Sequence, residues 1–263
     1  MDTFQAPSED PPTGPSWWEL PRRVVSGVLF ALLAVAFTAP ADAQISPDRP
    51  GFGDGSTAMT AGRFQVESGY GYGASGGAAS HSVGQVLLRY GLTGWLEARG
   101  GVGSYVVNET PLQNGYSGTT LGAKAALLEG GPLSAGLIAT TGLPTGTGAY
   151  DGGQAWQDVT LALSAPVAGP MTFASNVGHQ FAYSGDSGGE TTLTTTLLFS
   201  ASETVGIGFG YAGFYASGLN RNYLEGGATL RTAPDTQLDV NWAYQIDGYA
   251  DQVLLGFGIS HRF

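Results

Sequence analysis

Glu67, Arg89, Glu97, Arg99, Lys124, Asp158, Asn176, Glu225, Arg231, Asp239 and Arg262 occupy polar positions between apolar neighbours along the chain, and Gln65, Gln85, Gln180 and Asn241 share that spacing. Around a water-filled passage such a set would sort solutes by charge. Paired with one another, the same groups would brace a wall and satisfy its interior. Either use suits this pattern of residues. Hydrolytic chemistry needs a nucleophile, a base and an orienting acid in one place. The three histidines do not offer it: His81 reads as a loop residue, His179 lies near a strand end facing outward, and His261 belongs to the terminal segment. No catalytic residue is assigned and no cofactor is implied. With no cysteine, thiolate nucleophiles, disulfides and thiolate metal sites are excluded. The acids Asp151, Asp186, Glu190, Asp247 and Asp251 lack EF-hand spacing, so they read as solvated loop tips and no metal site is assigned.

Composition narrows the class of protein that must position these groups. The 263 residues include 43 glycines and 12 tyrosines, with 21 acidic against 10 basic side chains. An acidic balance argues against nucleic acid, whose phosphates require a Lys/Arg surface. Glycine without a Gly-X-Y period is not collagen, and 42% hydrophobic residues exclude a disordered tail.

The N-terminal segment carries location. Arg22 and Arg23 precede an apolar run from Val24 to Phe37, followed by Ala41-Asp42-Ala43. This order describes a secretory signal peptide cut after Ala43. The run is shorter than the roughly 20 residues a spanning helix needs. Residues 1–43 therefore read as leader and signal peptide, 44–62 as an irregular lead-in, and 63–263 as the folded body. The lead-in, "QISPDRPGFGDGSTAMTAG", is rich in Gly and Pro. It has two readings: a plug in which Asp48 and Arg49 meet interior charges, or a periplasmic strap, and we favour the strap.

Beyond residue 62 the sequence alternates with period two, the mark of a strand with one apolar face. Phe64, Val66, Tyr70 and Tyr72 form one such set, and Val86, Leu88 and Tyr90 the next. Val205, Ile207, Phe209 and Tyr211 are separated only by glycines. "LSAGLIATTG" is more evenly apolar and gives the weakest pattern, with Leu133, Ala135, Leu137 and Ala139 placed on one face. The closing "VLLGFGISHRF" makes twelve strands. Connections such as "ASGGAASHS" and "NETPLQNGYSG" read as long loops, alternating with short turns such as "GLTG" and "EGGP". Sorting of loops by parity belongs to membrane barrels.

Energetics favour the same answer. The face opposite the apolar one is mostly Gly, Thr and Ser, and a single lysine in the chain leaves soluble strand edges unprotected. Apolar side chains turned to lipid remove that difficulty, and closure pairs every backbone group as a bilayer demands. A strand of about ten residues at ~3.3 Å each, tilted about 40°, rises roughly 25 Å, the height of the apolar band. The expected fold is all-β: a closed antiparallel transmembrane β-barrel of about 12 strands in an up-and-down meander. Glycines such as Gly206, Gly208, Gly210, Gly256 and Gly258 would leave space inside it.

The ending resembles the terminal strand of Gram-negative outer-membrane barrels, which finish on an aromatic read by the barrel-assembly machinery. Phe257, Ile259, His261 and Phe263 match that signal. A wider resemblance spans most of residues 44–263. "ISPDRPGFG", "GRFQVESGYGY", "RYGLTGWLEARGG", "LGAKAALL", "LPTG" and "LDVNWAY…GFGISHRF" are similar to a transporter-like outer-membrane family named after the meta-pathway of phenol degradation. Thr119-Thr120 replace the acidic residue usual before "LG.K" in that family, so no role for that carboxylate carries over. The resemblance implies a barrel of about twelve strands, outer-membrane lipid around it, and uptake of small molecules, aromatic or hydrophobic ones among them. The function expected is passive passage of small molecules; the alternative is a non-transporting structural or adhesive barrel.

Overall fold

The computed structural model describes residues 45–109, 113–181, 189–247 and 252–263. Alternating side chains set the fold. Fourteen strands follow the chain: β1 (Phe64–Ser75), β2 (Ala78–Gly91), β3 (Leu96–Val102), β4 (Tyr105–Asn108), β5 (Gly115–Tyr116), β6 (Thr119–Leu128) and β7 (Ser134–Gly142), then β8 (Trp156–Ala168), β9 (Met171–Phe181), β10 (Glu190–Ser200), β11 (Val205–Ala216), β12 (Leu219–Ala233), β13 (Thr236–Gln245) and β14 (Val253–Arg262). β3 and β4 both pair with β2 and form one interrupted stave; β5 and β6 form the next. The wall therefore has twelve staves, each antiparallel to its neighbours. It closes where β1 meets β14, from Gln65 opposite Arg262 to Ala74 opposite Val253. Phe263 extends that seam, its amide donating to the Phe64 carbonyl at 2.7 Å.

Closure leaves no free edge and separates two faces. Leu121, Val177, Leu197, Ile207, Phe209 and Ile259 stand exposed on the outer face, where a bilayer would receive them. Gln65, Glu67, Arg89, Glu97 and Lys124 point inward and are at most 1% exposed.

Two expectations change. "ASGGAASHS" is not a long loop: β1 and β2 continue through it and turn at Gly76-Gly77, whose positive φ values of 56° and 88° suit glycine. Backbone pairing extends the hairpin past the length that spans a bilayer, so the difference between the two ends lies in strand length as well as loop length. His81 consequently sits within β2, its Nδ1 2.6 Å from the Tyr70 hydroxyl. In β7, Leu137 and Ala139 face outward as expected, whereas Ile138 turns inward and is 2% exposed.

Candidate functional site

The first six strands bring five of the expected polar residues into one cluster. Glu97 lies on β3 and Lys124 on β6 at paired positions, and Arg89 and Arg99 are paired between β2 and β3. Two residues apart on a strand means the same face, so Glu97 and Arg99 share the interior. Arg89 clasps Glu97 with two bonds, Nε to Oε1 at 2.7 Å and Nη2 to Oε2 at 2.9 Å. Its Nη1 donates to Glu67 at 2.9 Å. Fork-to-carboxylate pairs of this kind are the strongest ion contacts available to side chains.

The lead-in supplies the centre of the cluster. Asp48 accepts from Lys124 Nζ at 2.7 and 2.9 Å and from Arg99 at 2.7 Å, with Arg89 at 3.6 Å. Arg99 also holds Asp54 at 2.7 Å. Backbone donors complete the attachment: the amides of Phe52, Asp54 and Met59 donate to Glu225, Asn176 and Glu97 at 3.1, 2.6 and 2.9 Å. Residues 45–59 thus make their contacts with the inner face of the wall. On the opposite side Phe52 packs against Phe214 and Tyr223, with ring centroids 5.2 and 5.6 Å away.

Small inner-face residues make this possible. A Cβ on Gly136 would lie 2.4 Å from the Ser56 carbonyl oxygen, and one on Gly69 would lie 2.6 Å from the Arg49 guanidinium. Gly258 opens the same slot, so the space expected there is filled by Arg49 and Asp239, and that at Gly256 by Asn241.

Charge and burial act together on the two lead-in acids. Burial alone would raise Asp48, but Lys124, Arg89 and Arg99 outweigh it and hold the carboxyl well below the usual range. Burial, and then the negative charge of Asp48, push Asp54 above its usual range while Arg99 opposes them.

The remaining expected residues are dispersed. Asp158 accepts from its neighbour Thr160. Asn176 binds the Asp54 backbone through both ends of its amide. Glu225 accepts from Phe52 and, at 3.4 Å, from Thr196. Asp239 lies 3.4 Å from Arg49. Arg231 donates to the Glu203 carbonyl, and Arg262 binds Asp235 at 2.7 Å. Of the acids expected at loop tips, Glu190 instead opens β10 and pairs with Arg221, and Asp247 accepts from Asn222; Asp186 and Asp251 lie outside the described residues.

Two cavities flank the lead-in. The larger, about 310 Å³, lies between residues 45–55 and the inner face of β9–β13. A second of about 160 Å³ lies against Glu67, Gln85 and Leu87. Two strings in the sequence have the spacing of a hydrolase nucleophile. "GASGG" at 73–77 fits a G-x-S-x-G string, as does "GDSGG" at 185–189, most of which lies outside the described residues. The first ends β1 and makes the turn into β2, whereas the nucleophile elbow joins a strand to a helix.

A closed, even-stranded antiparallel wall with an apolar exterior and a charged interior is the architecture of outer-membrane porins, and solved structures agree. The COG4313 outer membrane channel from Pseudomonas putida F1 superposes with a TM-score of 0.66 at 12% identity, covering 86% of this chain and all of that one. A KdgM porin solved in complex with disordered oligogalacturonate gives 0.56 at 12% identity, covering 76% and 99%. NanC porin gives 0.53 at 10% identity, covering 74% and 98%. No curated protein matches the sequence. The model of the family described as "MetA-pathway of phenol degradation" matches residues 47–263, and the chain belongs to that family.

Proposed function

We propose that the protein is an outer-membrane channel through which small molecules pass passively, with residues 45–59 acting as a plug that sets the open cross-section. The observation that carries this reading is the closed twelve-stave wall, apolar outside, whose interior keeps a cavity of about 310 Å³ beside the lead-in. Space is retained because Gly206, Gly208 and Ala174 present little or no side chain there. The charged cluster then has a bracing role: Arg89, Glu97 and Lys124 are committed to partners and hold the plug rather than meeting solute. The family name and the porin fold make small organic solutes, aromatic ones included, the first panel to test. Phe257, Ile259 and Phe263, turned outward beside the β1–β14 seam, are the surface offered to the barrel-assembly machinery. No catalytic step is assigned.

Conductance of the purified protein, residues 44–263, in a planar bilayer tests this. Discrete current steps are expected. A bilayer that stays sealed would remove the channel reading and leave the structural or adhesive alternative.

A further inference from the structure

Among the described residues, one carboxylate at the larger cavity has no cationic partner. Glu225 is 4% exposed, lines the cavity, and receives only the Phe52 amide and the Thr196 hydroxyl. The other charged groups bordering that space each have an opposite charge close by, although Arg49 Nε makes no hydrogen bond among the described residues. Asp48 is held by Lys124 and Arg99, Asp54 by Arg99, and Arg49 lies against Asp239, Gln85 and the Phe257 carbonyl. Beyond Glu225 the surface is predominantly apolar, with Ile45, Pro50, Ala174 and Leu198 among its contributors. Leu198 is an apolar side chain turned into the interior and 42% exposed there, where neither lipid nor a second layer covers it. A volume of about 310 Å³ is at the lower end for small-molecule sites.

An uncompensated carboxylate at one end of an apolar pocket of low dielectric attracts a monocation and disfavours an anion. We propose that this cavity binds a small organic cation with an apolar body, of the alkylammonium type, its head at Glu225 and its body along Leu198 and Ala174. The proposal deepens the channel reading, on which access of solute to the lumen rests.

The test is a titration of residues 44–263 in lipid nanodiscs, with methyl-labelled Ala174, Thr196 and Leu198 observed by NMR. The probes are hexylammonium, 1-hexanol and hexanoate at pH 7. Hexylammonium is expected to shift these methyls saturably, with an affinity at least tenfold above either other probe. Glu225→Gln is expected to weaken it at least tenfold. Gly208→Leu, which fills the cavity and keeps Glu225, is expected to abolish saturable shifts from all three probes. Hexanoate or hexanol binding as tightly as hexylammonium in the unaltered protein would overturn the proposal, as would unchanged hexylammonium binding in a folded Glu225→Gln protein. Conductance separates this outcome from the channel reading. Current steps without selective binding remove the site alone; selective binding in a sealed bilayer removes the channel alone.

Discussion

Replacing Asp48 by Asn keeps the shape of the lead-in and deletes the charge at its centre. Lys124 is fully buried and has one carboxylate partner, Asp48, besides the Gly55 carbonyl. Arg99 loses one of its two close carboxylate contacts. Removing one member of a buried ion pair typically costs about 3–5 kcal/mol, because the remaining charge stays desolvated. Water can solvate Lys124 once the lead-in has left, so the penalty falls on the docked form. At about 1.4 kcal/mol per decade, the docked-to-free ratio should fall roughly 100-fold or more. Hydrogen exchange reads that ratio directly. The amides of Phe52, Asp54 and Met59 donate to Glu225, Asn176 and Glu97 on the wall, so they exchange when the lead-in departs. In the Asp48→Asn protein these amides should exchange roughly 100-fold faster, while amides in β10–β13 keep their rates. Wild-type exchange at all three would refute the assignment of Asp48 as the anchor.

A disulfide between Gly53→Cys and Thr194→Cys should form in this cysteine-free chain once the Asn176 amide, 2.8 Å from a Cβ at 53, turns aside, since that Cβ lies 3.0 Å from the Thr194 hydroxyl; closure of that bond should reduce conductance and a reductant should restore it. Gly136→Val should dislodge the lead-in without unfolding the barrel, because its side chain would meet the Ser56 carbonyl oxygen, and faster exchange at Met59 with an unchanged far-ultraviolet spectrum would show it. Leu197→Arg, on the lipid-facing side of β10, should cost up to about 2–4 kcal/mol in folding into vesicles, depending on its depth, measured by urea titration. Acid acts on the lead-in with a definite sign. Asp48 lies below the ordinary carboxylate value when docked, so its contribution to docking is full above about pH 4 and is lost as pH falls further. Asp54 lies above that value when docked, so it takes up a proton there first and docking gains as pH falls through its raised value. Exchange at Asp54 should therefore not accelerate between pH 7 and pH 5.

The staves were legible because one side chain in two had to be apolar, and glycine spacers in β11 and β14 made that period unambiguous. Ile138 broke the rule because an interior occupied by a protein segment can hold an apolar side chain that a wet one would not. The inward direction of Glu67, Arg89, Glu97, Arg99 and Lys124 followed from strand parity, and so did a network among them such as Arg89 makes with Glu67 and Glu97, but the lead-in carboxylate at its centre did not. The pairing of Lys124 depends on Asp48, whose partners on β2, β3 and β6 lie 41 to 76 residues away; a stretch with no periodicity left the plug and the strap both open. The signal available was the run of small residues on the inner face. Gly69, Gly136 and Gly258 resemble an empty passage in sequence, and only the fold shows which of those gaps another part of the chain enters.

The lead-in has a bearing on assembly. A ring of staves shuts when its final member meets its first, and whatever it encloses must be present by then or thread in later through an open mouth. The side chains that grip Asp48 belong to β2, β3 and β6, and its amide rests on Glu67 of β1. A half-built wall therefore already contains every ion that holds Asp48, while Arg49 and the Phe52 amide wait for Asp239 of β13 and Glu225 of β12.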